Sequence, residues 1–373
     1  MNNRVTILCS GFGLGFYVPG LLLEAKLHAL GLQAEIEVFE TLMPDAKKEQ
    51  TDNSRRAYQQ SFAVALTSQK IPSDIRSSLD EAAVEQLLQQ WQQEERQRFI
   101  VLSGHWVHVM DKYRAVAGFP VEAELLYIDA ELSPSWKNLR KVKPAYAEGY
   151  REVHMYDLTN RGILYRIDAG PEEPLPVSAR NGRLVMHGGG WGIGTFREKF
   201  AALEAAGYKL DIAAYSTEEI GPAIQGRRYY MNDPQWRTWK RDGSGQYTFP
   251  PFAEVTGNGE NRFPPCEHYA EGMFGVIRQA SAVISKPGGG ALIDSLASGT
   301  PLVLLDPFGP HEQINSDLWV ELGYGIRYGE WAATGFDPAA LRRIADNLES
   351  ARGKYPDYAV SYAEQLSAAE GRS

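Results

Sequence analysis

Residues 285–315 read SKPGGGALIDSLASGTPLVLLDPFGPHEQIN, and the fold is decided here. An apolar strand over Ser281–Ser285 breaks at Lys286-Pro287. Three glycines follow, Gly288, Gly289 and Gly290. Ala291 to Ser298 then carries helical spacing, with Leu292/Leu296 and Ile293/Ala297 as i, i+4 pairs. The glycines therefore fall at a helix N-terminus, where unpaired backbone N–H groups and the positive end of the macrodipole face outward. Without Cβ atoms they let an anion approach the backbone, and such a site suits a phosphate. Gly299 is placed to stop the helix, and Thr300-Pro301 starts an extended run that Leu302 to Leu305 continue as a buried strand. Strand, glycine loop, helix, strand is the unit found at the mouth of a parallel α/β sheet.

A second reading supports the same class. Arg4 to Cys9 forms a buried strand, SGFGLGFYVPG a loop, Leu21 to Leu30 a helix stopped by Gly31, and Ala34 to Phe39 a strand. Arg183 to Tyr215 repeats the sequence of events: strand LVMH, loop GGGWGIG, helix Thr195 to Ala206, Gly207, strand KLDIAAY. Gly11-Phe12-Gly13-Leu14-Gly15 and Gly190-Trp191-Gly192-Ile193-Gly194 share the form Gly-aromatic-Gly-aliphatic-Gly. The duplication predicts two Rossmann-like halves facing a central cleft.

Composition agrees with that size. The chain has 373 residues, 43% of them hydrophobic, enough for two cores and two domains. No apolar run approaches the roughly 18 residues that span a bilayer. The short apolar run at the N-terminus meets a glycine loop, not a cleavage site, and reads as a strand. Cys9 and Cys266 give no disulfide framework and no metal-ligand spacing, so a reduced, cytoplasmic setting is expected. A net charge of −9 argues against nucleic acid and against adsorption to anionic membrane as partners.

Between the first strand pair and Phe99, Asp45 to Gln69 and Ser73 to Gln97 carry helical periodicity, divided by Pro72 and with Ser73 as a cap. Phe62, Val64 and Leu66, then Leu79, Ala83, Leu87 and Trp91, are the expected inward faces of helices packed on the sheet. Arg98 to Leu102 and Ala123 to Ile128 are strands, and polar residues just past their C-terminal ends lie on the ligand side. That rule selects His105, Asp129 and Glu131; His108, three residues on, reads as structural. The proline-rich stretch 167–182 is the linker. The domains are then expected at 1–166 and 183–350, with 351–373 a terminal helix. Residues 227–265 read as a long loop holding one strand, Gln246 to Phe249.

The segment 285–315 resembles the donor-binding signature of GT-B glycosyltransferases, particularly the branch with the peptidoglycan N-acetylglucosaminyltransferase and the diacylglycerol glycosyltransferases. The matching parts are Gly288 to Gly290, Asp294 one helical turn in, Gly299-Thr300-Pro301, and His311-Glu312-Gln313-Ile314-Asn315. The resemblance implies GT-B architecture and an inverting, metal-independent transfer from a nucleotide diphosphate sugar, UDP-sugar first, to a small-molecule or lipid-like acceptor. It implies no cofactor beyond that donor. It places the diphosphate against Gly189, Gly190, Trp191 and Gly192 and against Lys286 and Gly288 to Gly290, with Gly13 and Gly15 facing them. Asp294 would hold ribose hydroxyls, Glu312, Gln313 and Asn315 the donor sugar, and Tyr269 and Met273 the base. The terminal helix would cross back onto the first domain.

One position departs from the family. Its first loop carries a histidine three residues before a proline; counting back from Pro19 gives Phe16, which accepts no proton. The base would then come from His105, with Asp129 or Glu131 behind it. The departure also keeps a nucleotide-sugar hydrolase or epimerase open, and a non-catalytic nucleotide-sugar binder. An NAD-dependent oxidoreductase is a further alternative, because Gly11-x-Gly13 after a strand, with Glu40 after the next, imitates a dinucleotide fingerprint.

Overall fold

The computed structural model describes residues 4–68, 74–221, 224–257 and 261–370. Two parallel sheets dominate it. The first contains β1 (Arg4–Cys9), β2 (Gln33–Val38), β3 (Arg98–Val101), β4 (Glu122–Tyr127) and β5 (Arg151–His154), in the order β2-β1-β3-β4-β5. A short hairpin, β6 (Tyr156–Asp157) and β7 (Gly162–Ile163), follows. The second sheet contains β8 (Arg183–His187), β9 (Lys209–Ala214), β10 (Arg227–Asn232), β11 (Phe252–Val255), β12 (Ala282–Ser285), β13 (Leu302–Leu304) and β14 (Gly325–Arg327). Its order is β11-β10-β9-β8-β12-β13-β14, with only the edge strand β11 antiparallel. Strands such as β3 and β12 are buried along their whole length, as expected where helices cover both faces.

The helices of the first half are α1 (Leu14–Ala29), α2 (Asp45–Gln60), α3 (Phe62–Ser68), α4 (Glu81–Gln93), α5 (Val107–Val116) and α6 (Pro134–Val142). Those following β8 are α7 (Phe200–Ala205), α8 (Met273–Gln279), α9 (Gly289–Ser298), α10 (Pro310–Glu321), α11 (Tyr328–Ala333), α12 (Pro338–Ser350) and α13 (Tyr358–Glu370).

Strand order locates the mouths of both sheets. Each reverses direction at one point, between β1 and β3 in the first and between β8 and β12 in the second, and ligands bind outside the C-terminal ends of the strands flanking such a reversal. The loops after β1 and β3 begin at Ser10 and Leu102; those after β8 and β12 carry the two glycine runs of the second half.

Among the described residues, three apolar clusters form the interior. One fills the outer face of the first sheet (Phe39, Trp91, Trp106, Trp136) and one the outer face of the second (Phe196, Leu210, Trp331). The third is continuous across both halves, from Ile7 and Leu22 to Leu292 and Trp319. Two separate cores were expected; the shared one arises because α1, α9 and α13 pack between the sheets. The hydroxyl of Tyr358 donates to Glu124 (2.9 Å), fixing α13 to the first sheet.

Several elements differ from expectation. α1 begins at Leu14, not Leu21, and carries Pro19 inside it. Because Tyr17 through Leu23 are buried, one-sided periodicity could not reveal its start. α2 buries no side chain and does not lie on the sheet. With α3 it reaches over to the second half: the Gln59 amide donates to the Trp191 carbonyl (2.8 Å), Tyr58 stacks on the Trp191 ring and Phe62 meets Phe308. Val64 is accordingly exposed and Ala65 buried. Pro72 and Ser73 lie outside the described residues; the observed cap of α4 is Asp80, whose carboxylate accepts from the Ala82 and Ala83 amides.

The segment expected as a loop with one strand contains β10 and β11, while Gln246 to Phe249 supplies only a single bridge, Phe249 to Cys266. Residues 233–250 cross the cleft the other way. The Tyr17 hydroxyl donates to the Thr248 carbonyl (2.9 Å), Thr238 Oγ1 donates to the Gly11 carbonyl (3.3 Å), and Arg241 pairs with Glu37 (3.5 Å).

Candidate active site

Between the two sheet mouths lies a cavity of about 510 Å³ whose walls come from both halves. On the second half its floor is the start of α9. Gly288 is the N-cap and supplies no side-chain cap; its carbonyl accepts from the Ala291 amide (2.9 Å), and the amides of Gly289 and Gly290 stand at the open end of the helix. Gly299 closes the helix in the left-handed region (φ +65°), where a side chain would be strained.

Beside α9 runs the loop after β8. Gly189 and Gly192 take positive φ (+68° and +71°). The Tyr215 hydroxyl accepts from the Gly188 amide (3.0 Å) and donates to the Gly189 carbonyl (2.6 Å), holding the turn. Gly189, Gly190 and Trp191 line the cavity. Gly192 does not: it presses on the Tyr215 ring, where a Cβ would lie 2.5 Å from the nearest ring atom.

The two glycine loops meet directly. A Cβ on Gly190 would lie 2.3 Å from Leu14 N, and one on Gly13 2.5 Å from the Trp191 ring. Gly15, by contrast, has open space before it, and its Cα is the nearest atom to a Cβ placed on Gly290.

Lys286 reaches between the loops and ion-pairs with Glu312 Oε1, while Glu312 Oε2 accepts from the Phe308 amide (2.6 Å). Asp294 is 8% exposed and accepts a hydrogen bond from the Tyr269 hydroxyl (2.9 Å). Burial raises its carboxyl to about 7, with the Tyr269 bond acting in the opposite sense. Tyr269 stacks on Phe274 and meets Phe249 at a tilt, and Met273 joins it on the cavity wall.

Two residues expected at the donor sugar are elsewhere. Gln313 is exposed and donates to Asp317 (2.7 Å), because α10 already starts at Pro310 and turns that position outward. His311 and Glu312 take the wall instead. Asn315 is fully buried behind it and links the halves: its amide donates to Asp129 Oδ1 (2.8 Å) and the Pro287 carbonyl (2.9 Å), and its Oδ1 accepts from the Ala130 amide (2.8 Å). All its strong hydrogen-bonding groups are engaged within the protein.

On the first half, His105 lines the cavity with its ring against Phe12 (5.4 Å) and Phe39 (5.2 Å). Burial lowers its pKa to about 4, so the imidazole is neutral near pH 7. Asp129 also lines the cavity, and a Cβ placed on Gly289 would lie 2.9 Å from its Oδ1 and 3.0 Å from the Ile128 carbonyl oxygen, so a side chain there would push against both. Glu131 does not reach the cavity; its Oε1 accepts from the Leu132 amide (2.7 Å). Phe16 stands on the wall as an apolar residue.

Glu40, the acid of the dinucleotide-like pattern, is 1% exposed and spent on the Ser10 hydroxyl (2.9 Å) and the Gly11 amide (2.6 Å). It is closed to a ribose, which removes the feature that suggested NAD. The sequence reading missed His187, the last residue of β8, which also lines the cavity. The strand-end rule that selected His105 applied equally to it.

No protein-family model matches the chain, and no curated protein matches it either. Solved structures do. The glycosyltransferase SnogD from Streptomyces nogalater matches with a TM-score of 0.52 at 14% identity, covering 99% of both chains. MurG of Acinetobacter baumannii matches at 0.50 and 13% identity, covering 98% of this chain and 99% of its own. The spinosyn rhamnosyltransferase SpnG complexed with thymidine diphosphate matches at 0.50 and 12%, covering 97% and 100%. Over nearly its whole length, therefore, this chain has the GT-B fold of glycosyltransferases.

Proposed function

We propose that the protein is a glycosyltransferase that moves a sugar from a nucleoside diphosphate, UDP or TDP first, to a hydroxyl or amine of a small or lipid-like acceptor. The observation that carries this reading is the convergence of the uncapped start of α9, Lys286 and the loop after β8 on one cavity that also holds Asp294. Departure of a diphosphate needs stabilisation where negative charge develops, and preorganised amides beside a lysine supply it without reorganisation at the moment of reaction. Lys286 would exchange part of its pairing with Glu312 for the phosphates. Asp294, one turn into α9, is set to accept from ribose hydroxyls.

His105 is the base in this proposal and Asp129 the second candidate. A neutral imidazole can accept the acceptor's proton once the new C–O bond has made that proton acidic, so a lowered pKa is compatible with late proton removal. Transfer would invert the anomeric centre and need no metal. Incubating the protein with UDP, TDP, GDP and their sugars, with and without an acceptor panel, tests the proposal through thermal shift and release of nucleoside diphosphate. Stabilisation by one diphosphate and acceptor-dependent release are expected; release without any acceptor would favour a hydrolase. His105→Ala should retain donor affinity and lose turnover by about 100-fold or more, and survival of activity within a few-fold would remove His105 from the role.

A further inference from the structure

His187 ends β8 beside Ser285, its register partner at the end of β12, so it stands where the second sheet reverses order. The residue is only 7% exposed. Nδ1 lies 3.0 Å from the Gly189 amide, which can only donate, so Nδ1 must be the unprotonated nitrogen. The Ser285 hydroxyl, 3.3 Å from the same atom, is compatible with that arrangement. The ring proton is thereby assigned to Nε2. That N–H is buried and has no partner among the described residues, although the residue lines the same cavity as Gly189 and Lys286.

Most buried donors in folded proteins are paired, and one left open beside a cationic side chain and a glycine turn is suited to an anionic oxygen. We propose that the Nε2–H of His187 is a hydrogen-bond donor to the diphosphate of the nucleotide. Its tautomer is set in advance by the turn that carries Gly189. The inference rests on the nucleotide-sugar reading above. It adds a neutral, directional donor to the positive charge of Lys286: the lysine attracts the diphosphate, and the histidine fixes which oxygen faces the sheet. Protonation of the ring would cost the Gly189 contact, since Nδ1 would then carry a hydrogen aimed at another donor. Burial, with the nearby Lys286 charge, holds the imidazole neutral.

The test is titration calorimetry of wild type, His187→Phe and His187→Gln with UDP and TDP, and with uridine and thymidine, which lack the diphosphate. In parallel, the His187 Nε2–H resonance of ¹⁵N-histidine-labelled wild type is followed during the same additions. His187→Phe should bind the diphosphate roughly ten- to a hundredfold more weakly, the usual loss of a hydrogen bond to a charged group, with nucleoside affinity within about twofold. His187→Gln, whose side-chain amide keeps a donor, should recover part of the loss. The resonance should move downfield with diphosphate and stay in place with nucleoside. Equal losses for diphosphate and nucleoside, or unchanged diphosphate affinity in His187→Phe, would overturn the inference while leaving the donor-site reading intact. If His187→Phe does not fold, a resonance indifferent to a diphosphate that binds wild type overturns it alone. Wild type that binds neither diphosphate would remove both readings together.

Discussion

Replacing Gly190 by alanine tests whether the two halves are locked together at their glycine loops. A Cβ at that position would sit 2.3 Å from Leu14 N and 2.9 Å from Leu14 Cβ, whereas ordinary contact begins at 3.4 Å. The backbone of α1 cannot rotate away as a side chain could, so the loops must separate by about 1 Å. Gly190 has no positive φ, which leaves steric conflict as the whole effect. The cost is bounded by the contacts that would yield: the Gln59–Trp191 hydrogen bond, the Tyr58–Trp191 stack and the Thr238–Gly11 hydrogen bond. Together these are worth about 2–3 kcal/mol. Thermal unfolding should shift down by roughly 2.5–4 °C, and hydrogen exchange should rise in α2 around Tyr58 and Gln59. Gly15→Ala is the matched control, because its methyl meets nothing within 4 Å among the described residues. An unchanged midpoint together with unchanged exchange in α2 would refute direct contact between the loops.

Other outcomes follow from single residues. Asn315→Ala leaves the Ala130 amide and the Pro287 carbonyl unpaired in the interior and should cost on the order of 3 kcal/mol in chemical denaturation; a loss under about 1 kcal/mol would mean water replaces the side chain. Asp294, raised to about 7, accepts from a ribose most strongly as the ionised carboxylate. Affinity for a nucleotide sugar, whose diphosphate does not titrate in this range, should therefore fall as pH drops through 7 and become flat in Asp294→Asn; identical pH profiles would exclude the contact. His105 and His187 are both lowered to about 4 from 6.5, so the folded chain binds fewer protons than the unfolded chain between those values. Their contribution is complete above pH 6.5 and is lost toward pH 4. The decline in melting temperature from pH 7 to 4.5 should be shallower in His187→Phe than in wild type, and a parallel decline would count against the burial effect. Gly15→Ala should leave stability alone yet weaken turnover if substrate passes close to its Cα.

The α9 unit was legible because its signals are local: glycines where a helix must start open, and Gly299 where one must end. The paired loops were legible as a repeat, but their mutual contact was not, since nothing in either loop specifies what lies opposite. Gln313 shows how a motif can place a residue near a site and helix phase can turn it away. Glu312, Asn315 and Ser316 share one side of α10 at spacings of three and four, while Gln313 is rotated toward Asp317. β10 was hidden at the start of a stretch rich in Tyr, Trp, Gly and Pro without a clear period, and only the fold brings Glu204 and the buried Asp211 against its Arg227 and Arg228. The polar sequence of α2 was misassigned to the sheet because amphipathic spacing reports a face and not the surface it meets.

The docking of α13 on the first sheet has a consequence for biosynthesis. A nascent chain that has already delivered β1 to β5 still lacks Tyr358, Ala359 and Tyr362, which fill the apolar surface shared with Val5, Leu22 and Val153. That surface stays wet until the entire second sheet has left the ribosome. Truncated chains ending near residue 166 should therefore aggregate, and supplying residues 351–373 as a separate peptide is the direct remedy.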